Sequence, residues 1–257
     1  MTRITRTLFL AAALLSSQPA AYPWGPTGHR VVGRIAARYL TEKASLAVKG
    51  LLGPDSLAEI GPWADEIRSD PAWDRAYTWH FVTIGDGLAY ASAPKEPKGD
   101  VITALRRFEA DLRNPKASRE DKAIALKFYA HMVADVHQPL HVGRDGDRGG
   151  NDIKVIWHGQ NANLHAVWDS LMIDFQKLSF SEFAEFLDPP SQRQFAEWRK
   201  GGYLDWAAES IKLRPQVYDI GDGNLGYKYS YKNLPVVRER LMQSAIRLAG
   251  ELNSIFR

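Results

Sequence analysis

The sequence has 257 residues and nearly balanced charge, 33 Lys and Arg against 30 Asp and Glu, for a formal net charge of +3. Arg3 and Arg6 sit in a leader, so the remainder carries only about +1, which gives no electrostatic case for a nucleic-acid partner. Cysteine is absent, which excludes disulfides and thiolate metal sites and leaves His, Asp, Glu and the backbone as available ligands.

Residues 1–21 place two arginines ahead of an apolar run from Leu8 to Leu15 and then small residues, the layout of a secretory signal peptide. Cleavage is expected after Ala21 and at latest after Pro23, which makes the protein secreted or periplasmic. The run is too short for a permanent anchor, and no later stretch reaches the roughly 20 apolar residues of a membrane helix. Residues 24–257 contain no linker, repeat or low-complexity tract and read as one domain, with no feature that calls for an obligate protein partner.

Along that domain, Val31, Val32, Ile35, Ala36, Tyr39 and Leu40 follow helical spacing up to Thr41, a cap for a following helix. The same periodicity predicts helices near 100–113, 119–137, 166–177, 191–212 and 233–256. Ser118 with Asp121 resembles a capping box in which Asp replaces the usual Glu or Gln. One segment, 153–157, alternates as a strand; 94–99 and 219–227 read as loops. The expected fold class is all-α with a small β-hairpin.

Chemistry concentrates in the histidines. His131 and Asp135 lie four residues apart, on one helix face one turn apart, where a single ion can take an imidazole nitrogen and a carboxylate oxygen. Pro139 ends that helix and turns His141 back toward the same cavity. His165 and Asp169 repeat the spacing. Either pair alone is weak evidence, since such pairs are common as surface hydrogen bonds, but two in one chain point to metal.

Trp24-Gly-Pro-Thr-Gly-His29, Pro62-Trp-Ala-Asp65-Glu-Ile-Arg68, Trp79-His80-Phe81, the stretch from His131 to Asn151, and Asn163-Leu-His165-Ala-Val-Trp-Asp169 together resemble the zinc-dependent single-strand nucleases, the family of mung bean nuclease. The resemblance covers about 145 residues in order, and the C-terminal third adds helices without a motif. It implies a single-domain helical zinc phosphoesterase holding three zinc ions. Asp65, His80, His131 and Asp135 would hold one; Trp24, through a free amine and carbonyl, with His29 and a bridging Asp135, a second; His141, His165 and Asp169 the third. Asp65, Arg68 and Asp135 would be the catalytic residues, with Arg68 steadying phosphoryl charge. Phe81 would stack a base already out of a duplex, and Thr83, where the family pattern has aspartate, would offer one hydrogen bond.

The implied activity is hydrolysis of single-stranded DNA and RNA to 5′-phosphate products, with 3′-nucleotidase activity. The alternatives are a zinc-dependent phospholipase C, which has Glu where this chain has Asp169, and a zinc-binding protein without catalysis. Phe81 could equally be core, and Arg68 an ion-pair partner of Asp65 or Asp70. His137 lies off the ligand face and reads as structural support, and His158 as a solvated residue of the hairpin turn. Asp147 and Gly149-Gly150-Asn151 read as a turn that shapes the cavity.

Overall fold

A computed structural model describes residues 24–187 and 189–257; the expected signal peptide lies outside the described residues. Proline at its first position starts α1 (Pro26–Arg38), which buries Val31, Val32, Ile35, Ala36 and His29 on one face. Thr41 caps α2 (Glu42–Leu52) by accepting from the Ala44 amide. Two single-turn helices follow, α3 (Leu57–Ile60) and α4 (Trp63–Glu66), then 3-10 turns over Ile67–Ser69 and Pro71–His80. A Cβ on Gly33 would lie 2.2 Å from the Leu57 carbonyl oxygen, so only glycine lets α1 approach α3 this closely.

The centre of the molecule is α6 (Arg119–Asp135), capped by Ser118, which accepts from the Asp121 amide at 3.0 Å. From Leu126 onward nearly every position is buried, so its second half behaves as an all-round core helix and shows no polar face. α5 (Val101–Arg113) packs along it, and the long α12 (Tyr227–Ile255) packs on both α1 and α6. The result is a mostly helical single domain built around that helix, as expected.

Three local expectations need correction. The helix expected over 191–212 is two, α10 (Gln192–Trp198) and α11 (Tyr203–Val217), because Gly201 takes φ +75 at the break. The last helix begins at Tyr227, six residues before its expected start, with Pro235 inside it. The segment 166–177 is α7 (Leu164–Ala166), a π-helical stretch Val167–Leu171 and α8 (Met172–Asp174); between α8 and α10 lies α9 (Phe180–Glu185).

The hairpin is present as β3 (Lys154–Trp157) against β4 (Gln160–Asn163), and β5 (Asn224–Leu225), expected as loop, adds a parallel third strand. A second sheet pairs β1 (Val82–Thr83) with β2 (Val142–Gly143) in parallel. Both strands are two residues long, too short for periodicity to reveal them. The buried Arg214 of α11 holds them, donating to the carbonyls of Ile84 at 2.8 Å and Gly143 at 2.6 Å and to that of Val142 at 2.9 Å. His80 and His141 flank these two strands.

Candidate metal centre

Six buried histidines and three buried aspartates occupy the end of α6 and its surroundings, and eight of those histidine and aspartate pairs come within 4 Å. They form three groups able to hold an ion: Asp65, His80 and His131; His29, His131 and Asp135; and His141, His165 and Asp169. Each element supplies its share for a local reason. α1 presents His29 on its buried face, α4 presents Asp65, and the 3-10 segment ends at His80. The i, i+4 pair of α6 closes to 3.2 Å between His131 Nε2 and Asp135 Oδ2. The second pair closes to 2.9 Å between His165 Nε2 and Asp169 Oδ2, across the π-helical stretch, a distortion that recurs at functional sites.

Backbone carbonyls orient the rings. His131 Nδ1 lies 2.7 Å from the Gly61 oxygen, His141 Nδ1 2.8 Å from the His80 oxygen, and His165 Nδ1 2.6 Å from the Gly149 oxygen. Donation from Nδ1 fixes the tautomer that leaves each Nε2 lone pair for a metal. Gly149 reaches His165 because it has φ +63 and no Cβ; a Cβ there would lie 2.4 Å from the Leu140 oxygen. His29 stacks on His131 with ring centres 3.7 Å apart, and His29 Nε2 is 3.4 Å from Asp135 Oδ1.

His131 is shared by two of these groups, and Asp135 is the carboxylate with the most histidine neighbours. It is fully buried, with His80 Nδ1 at 3.1 Å and His131 Nε2 at 3.2 Å on Oδ2, and His29 Nε2 at 3.4 Å and His141 Nδ1 at 3.6 Å on Oδ1. Burial pushes its pKa up to about 8, partly offset by His141, and pushes Asp65 up to about 7, partly offset by His131 and Arg68. Burial likewise drives the His29 and His80 imidazoles well below their ordinary range. Burial acts against the charged forms of His165 and Asp169 too. Their mutual pairing nevertheless raises the imidazole and lowers the carboxyl.

Among the described residues, both ring nitrogens of His29, His80 Nε2, His141 Nε2 and Asp135 Oδ1 have no hydrogen bond despite being buried. Buried polar atoms left this way are costly unless something else binds them. Together with an all N and O donor set, these orphaned atoms are what a cluster of borderline cations such as zinc would satisfy.

The remaining expected site residues sort themselves. Trp24 is fully buried, its indole donating to the Ala134 carbonyl at 3.0 Å, next to Asp135. Arg68 pairs with Asp65 at 2.9 Å and also lines a cavity of about 240 Å³ beside the histidines. Phe81 and Thr83 line the same cavity, Phe81 half-buried and Thr83 exposed, so Phe81 is not simply core. Gly149 and Asn151 are in its wall, as the expected cavity-shaping turn. His137 takes part in no ligand group: Nδ1 bonds the Val133 carbonyl and Nε2 accepts from Arg247 at 2.9 Å. His158 differs from expectation. Its ring stacks on Phe175 with centres 3.9 Å apart and is only partly exposed.

Gln138 was missed by the sequence reading, because a glutamine carries no ligand signal of its own. Its Nε2 donates to Asp169 Oδ1 at 2.6 Å while its Oε1 accepts from the Leu140 amide at 2.6 Å, so it ties the third group to the turn after α6. Its place between His137 and Pro139, within three residues of two ligand candidates, was the available clue.

A family model described as S1/P1 Nuclease matches residues 24–257. Endonuclease 3 of Arabidopsis thaliana is 34% identical, the match covering 91% of this chain and 89% of that protein. Endonuclease 2 of the same plant is 30% identical over 97% of this chain and 96% of that protein. Nuclease S1 of Aspergillus oryzae is 27% identical over 97% and 98%.

Two outcomes follow from this geometry. Gln138→Ala removes the hydrogen bond that orients Asp169, and affinity for one of the bound ions is expected to fall 10- to 100-fold, the usual range for such a partner, in a zinc titration. Unchanged affinity for every ion would show that Asp169 needs no orienting partner. Because Asp65 and Asp135 hold protons up to about 7 and about 8, metal must displace them below those values. Apparent zinc affinity is therefore expected to rise with pH through that window and to fall as pH drops, by about tenfold per pH unit for each proton displaced. Chelator competition across the window measures it, and a flat profile would count against proton displacement.

Proposed function

We propose that this chain, which belongs to the S1/P1 nuclease family, is an exported three-zinc enzyme that hydrolyses single-stranded DNA and RNA to 5′-phosphate products and removes the phosphate of 3′-nucleotides. The observation that carries the reading is three adjoining buried His and Asp groups, two of which reach, through His80, His141 and His165, one cavity that also holds an arginine and an aromatic ring. As a member of that family the chain is a phosphodiester hydrolase; the metal, the strand preference and the product are our inference.

Asp65, His80, His131 and Asp135 would hold one zinc; His29, Asp135 and the amine and carbonyl of Trp24 a second; His141, His165 and Asp169 the third. The buried indole of Trp24 fixes its backbone beside Asp135, and the family match begins at this residue. A peptide nitrogen has no lone pair to give, so this ligand requires that export processing expose Trp24. When bound, zinc in such a cluster supplies Lewis acidity toward phosphoryl oxygens and acidifies water toward a pKa of about 7.

The chain's own groups do the rest. Arg68, held by Asp65, presents a permanent positive charge at the cavity wall where phosphoryl oxygens accumulate charge. Phe81 offers a ring on which one unpaired base stacks, and a base inside a duplex cannot reach it. Thr83 adds one hydrogen-bonding hydroxyl at that pocket. Asp135 carries the two ligand groups it bridges on a single buried side chain.

A secreted or periplasmic location is consistent with the leader, and no described helix is long and apolar enough to cross a membrane. Purified protein is expected to degrade denatured DNA and RNA and to release phosphate from a 3′-nucleotide, and to leave phosphatidylcholine intact. Cleavage of phosphatidylcholine alone would establish the phospholipase alternative, and zinc binding without turnover the non-catalytic one. Asp135→Asn is expected to lower activity by orders of magnitude and to release zinc, measured by metal analysis beside the assay. Full zinc content with near wild-type rates would disprove the bridging role.

A further inference from the structure

A cavity of about 190 Å³ lies where the ends of α10 and α12 meet the start of α11, walled by Arg199, Arg247 and Arg257 with Trp206, Glu251 and Ser254. None of these residues belongs to the metal groups or to the pocket of Phe81. We infer that this cavity is a binding site for a free phosphate ion, separate from the metal centre. The inference does not depend on the nuclease reading.

An imbalance of buried charge points to an anion. Arg240 and Arg247 are each 3% exposed, and among the described residues Glu209 is the only carboxylate paired with either. One buried guanidinium charge is therefore left over, which is costly unless an anion comes near it. Arg247, the member of the pair in the cavity wall, is held rigidly: Nε donates to the Trp198 carbonyl at 2.7 Å, Nη1 to His137 at 2.9 Å and to Glu209 at 2.6 Å, and Nη2 to Glu209 at 2.7 Å. One N–H of Nη2 has no acceptor among the described residues. Arg199 lies over α12 at Gly250, where a Cβ would come 3.6 Å from its Nε. It and Arg257 are exposed and, among the described residues, pair with no carboxylate. Trp206 adds a second kind of signal. It is 2% exposed, and its indole N–H is buried without a hydrogen-bond partner, a donor that an anionic oxygen would satisfy.

The walls also select which anion. Three guanidiniums on different segments suit a tetrahedral oxyanion, whose several oxygens can each take an arginine fork. Glu251 is the opposing charge. Burial and Glu109 raise its pKa against the pull of Arg113, so it keeps a proton more readily than a free carboxyl and can donate to the anion. Hydrogen phosphate carries a proton of its own and can meet Glu251 in either form, whereas sulfate cannot donate to a carboxylate. A nucleotide is a poor fit, because the one aromatic ring in the wall is already covered: Trp206 has His137 at 5.3 Å, Tyr203 at 5.1 Å and the Arg247 guanidinium at 5.3 Å from its ring. No open face remains for a base to stack on.

Equilibrium dialysis of radiolabelled orthophosphate against the metal-loaded protein tests the site, because any phosphate held at the metals is common to wild type and to variants of this cavity. Arg199→Ala and Arg257→Ala, both changes of exposed residues, are each expected to weaken one bound phosphate by roughly 10- to 150-fold, the factor for one lost charge-assisted hydrogen bond, with zinc content unchanged. Sulfate is expected to displace that phosphate poorly from the wild type and more effectively from Glu251→Gln. Crystals of the wild type soaked in tungstate, a heavy tetrahedral oxyanion, should show an anomalous peak between Arg199 and Arg247, a readout that needs no variant to fold. Phosphate binding identical in wild type and both arginine variants, or tungstate peaks at the metals alone, would overturn the site. Equal affinity for sulfate would overturn the assignment to phosphate, as would a phosphorothioate oligonucleotide that occupies the cavity where orthophosphate does not.

Discussion

The structure is organised around the burial of Asp135. A carboxylate with no solvent exposure, at the C-terminal end of the central helix α6, is strongly disfavoured as an anion unless compensating groups surround it. Here the compensation comes from four imidazoles on four different segments, each brought within 3.6 Å of the two carboxyl oxygens. Neutral imidazoles and a protonated acid satisfy one another poorly, as the unbonded atoms of His29, His80 and His141 show. Cations held by these groups would resolve both problems together and let the core be polar at this point.

That constraint accounts for the supporting structure. α6 is buried all round in its second half because every side of it faces either the ligand rings or a packing helix. The turn after it is held by polar bonds as well as by the buried Val136 and Leu140: Gln138 joins it to Asp169, and Arg240 of α12 donates to the His137 carbonyl at 3.0 Å. Arg240 and Arg247 are themselves buried and share the carboxylate of Glu209, so two positive charges from α12 are bridged by one negative charge from α11. Arg214 plays the equivalent part for the short strands beside His80 and His141.

Much of the site was legible in the sequence because its chemistry is local. The pairs His131 with Asp135 and His165 with Asp169 follow from helical spacing alone, and His141 follows from Pro139 in the turn after the helix, which itself already ends at Asp135. Grouping them with Asp65, His80 and His29 required the resemblance, since no spacing rule connects residues 29, 65 and 131. The fold class and most long helices were legible for the same reason, as was the hairpin at 153–163. Unreadable features depend on tertiary partners. β1 and β2 exist only because each is the other's neighbour, and β5 only because β3 is already formed. Gln138 and Arg214 act through long-range bonds to residues whose positions no local pattern encodes. His158 was misread because a hairpin turn suggests solvent, whereas Phe175, from a different element, covers its ring.

The division of labour between α6 and the 3-10 segment has a consequence for how the pocket can vary. Ligand groups sit on buried faces where any change disturbs several neighbours at once, and their substitution is costly regardless of substrate. Thr83, Tyr77 and Asp74 are exposed, on the short strand and the 3-10 turn next to His80, and contribute little to the core. Residues of this kind can change without loosening the metal groups, because the backbone that carries them is fixed from behind by Arg214 and by Trp79, whose indole bonds the Lys98 carbonyl at 2.8 Å. Buried ligand groups and pocket-lining side chains are thereby placed on the two sides of one short segment, His80 buried and Phe81 and Thr83 on the pocket, so that the first are held by the core while the second are free to vary.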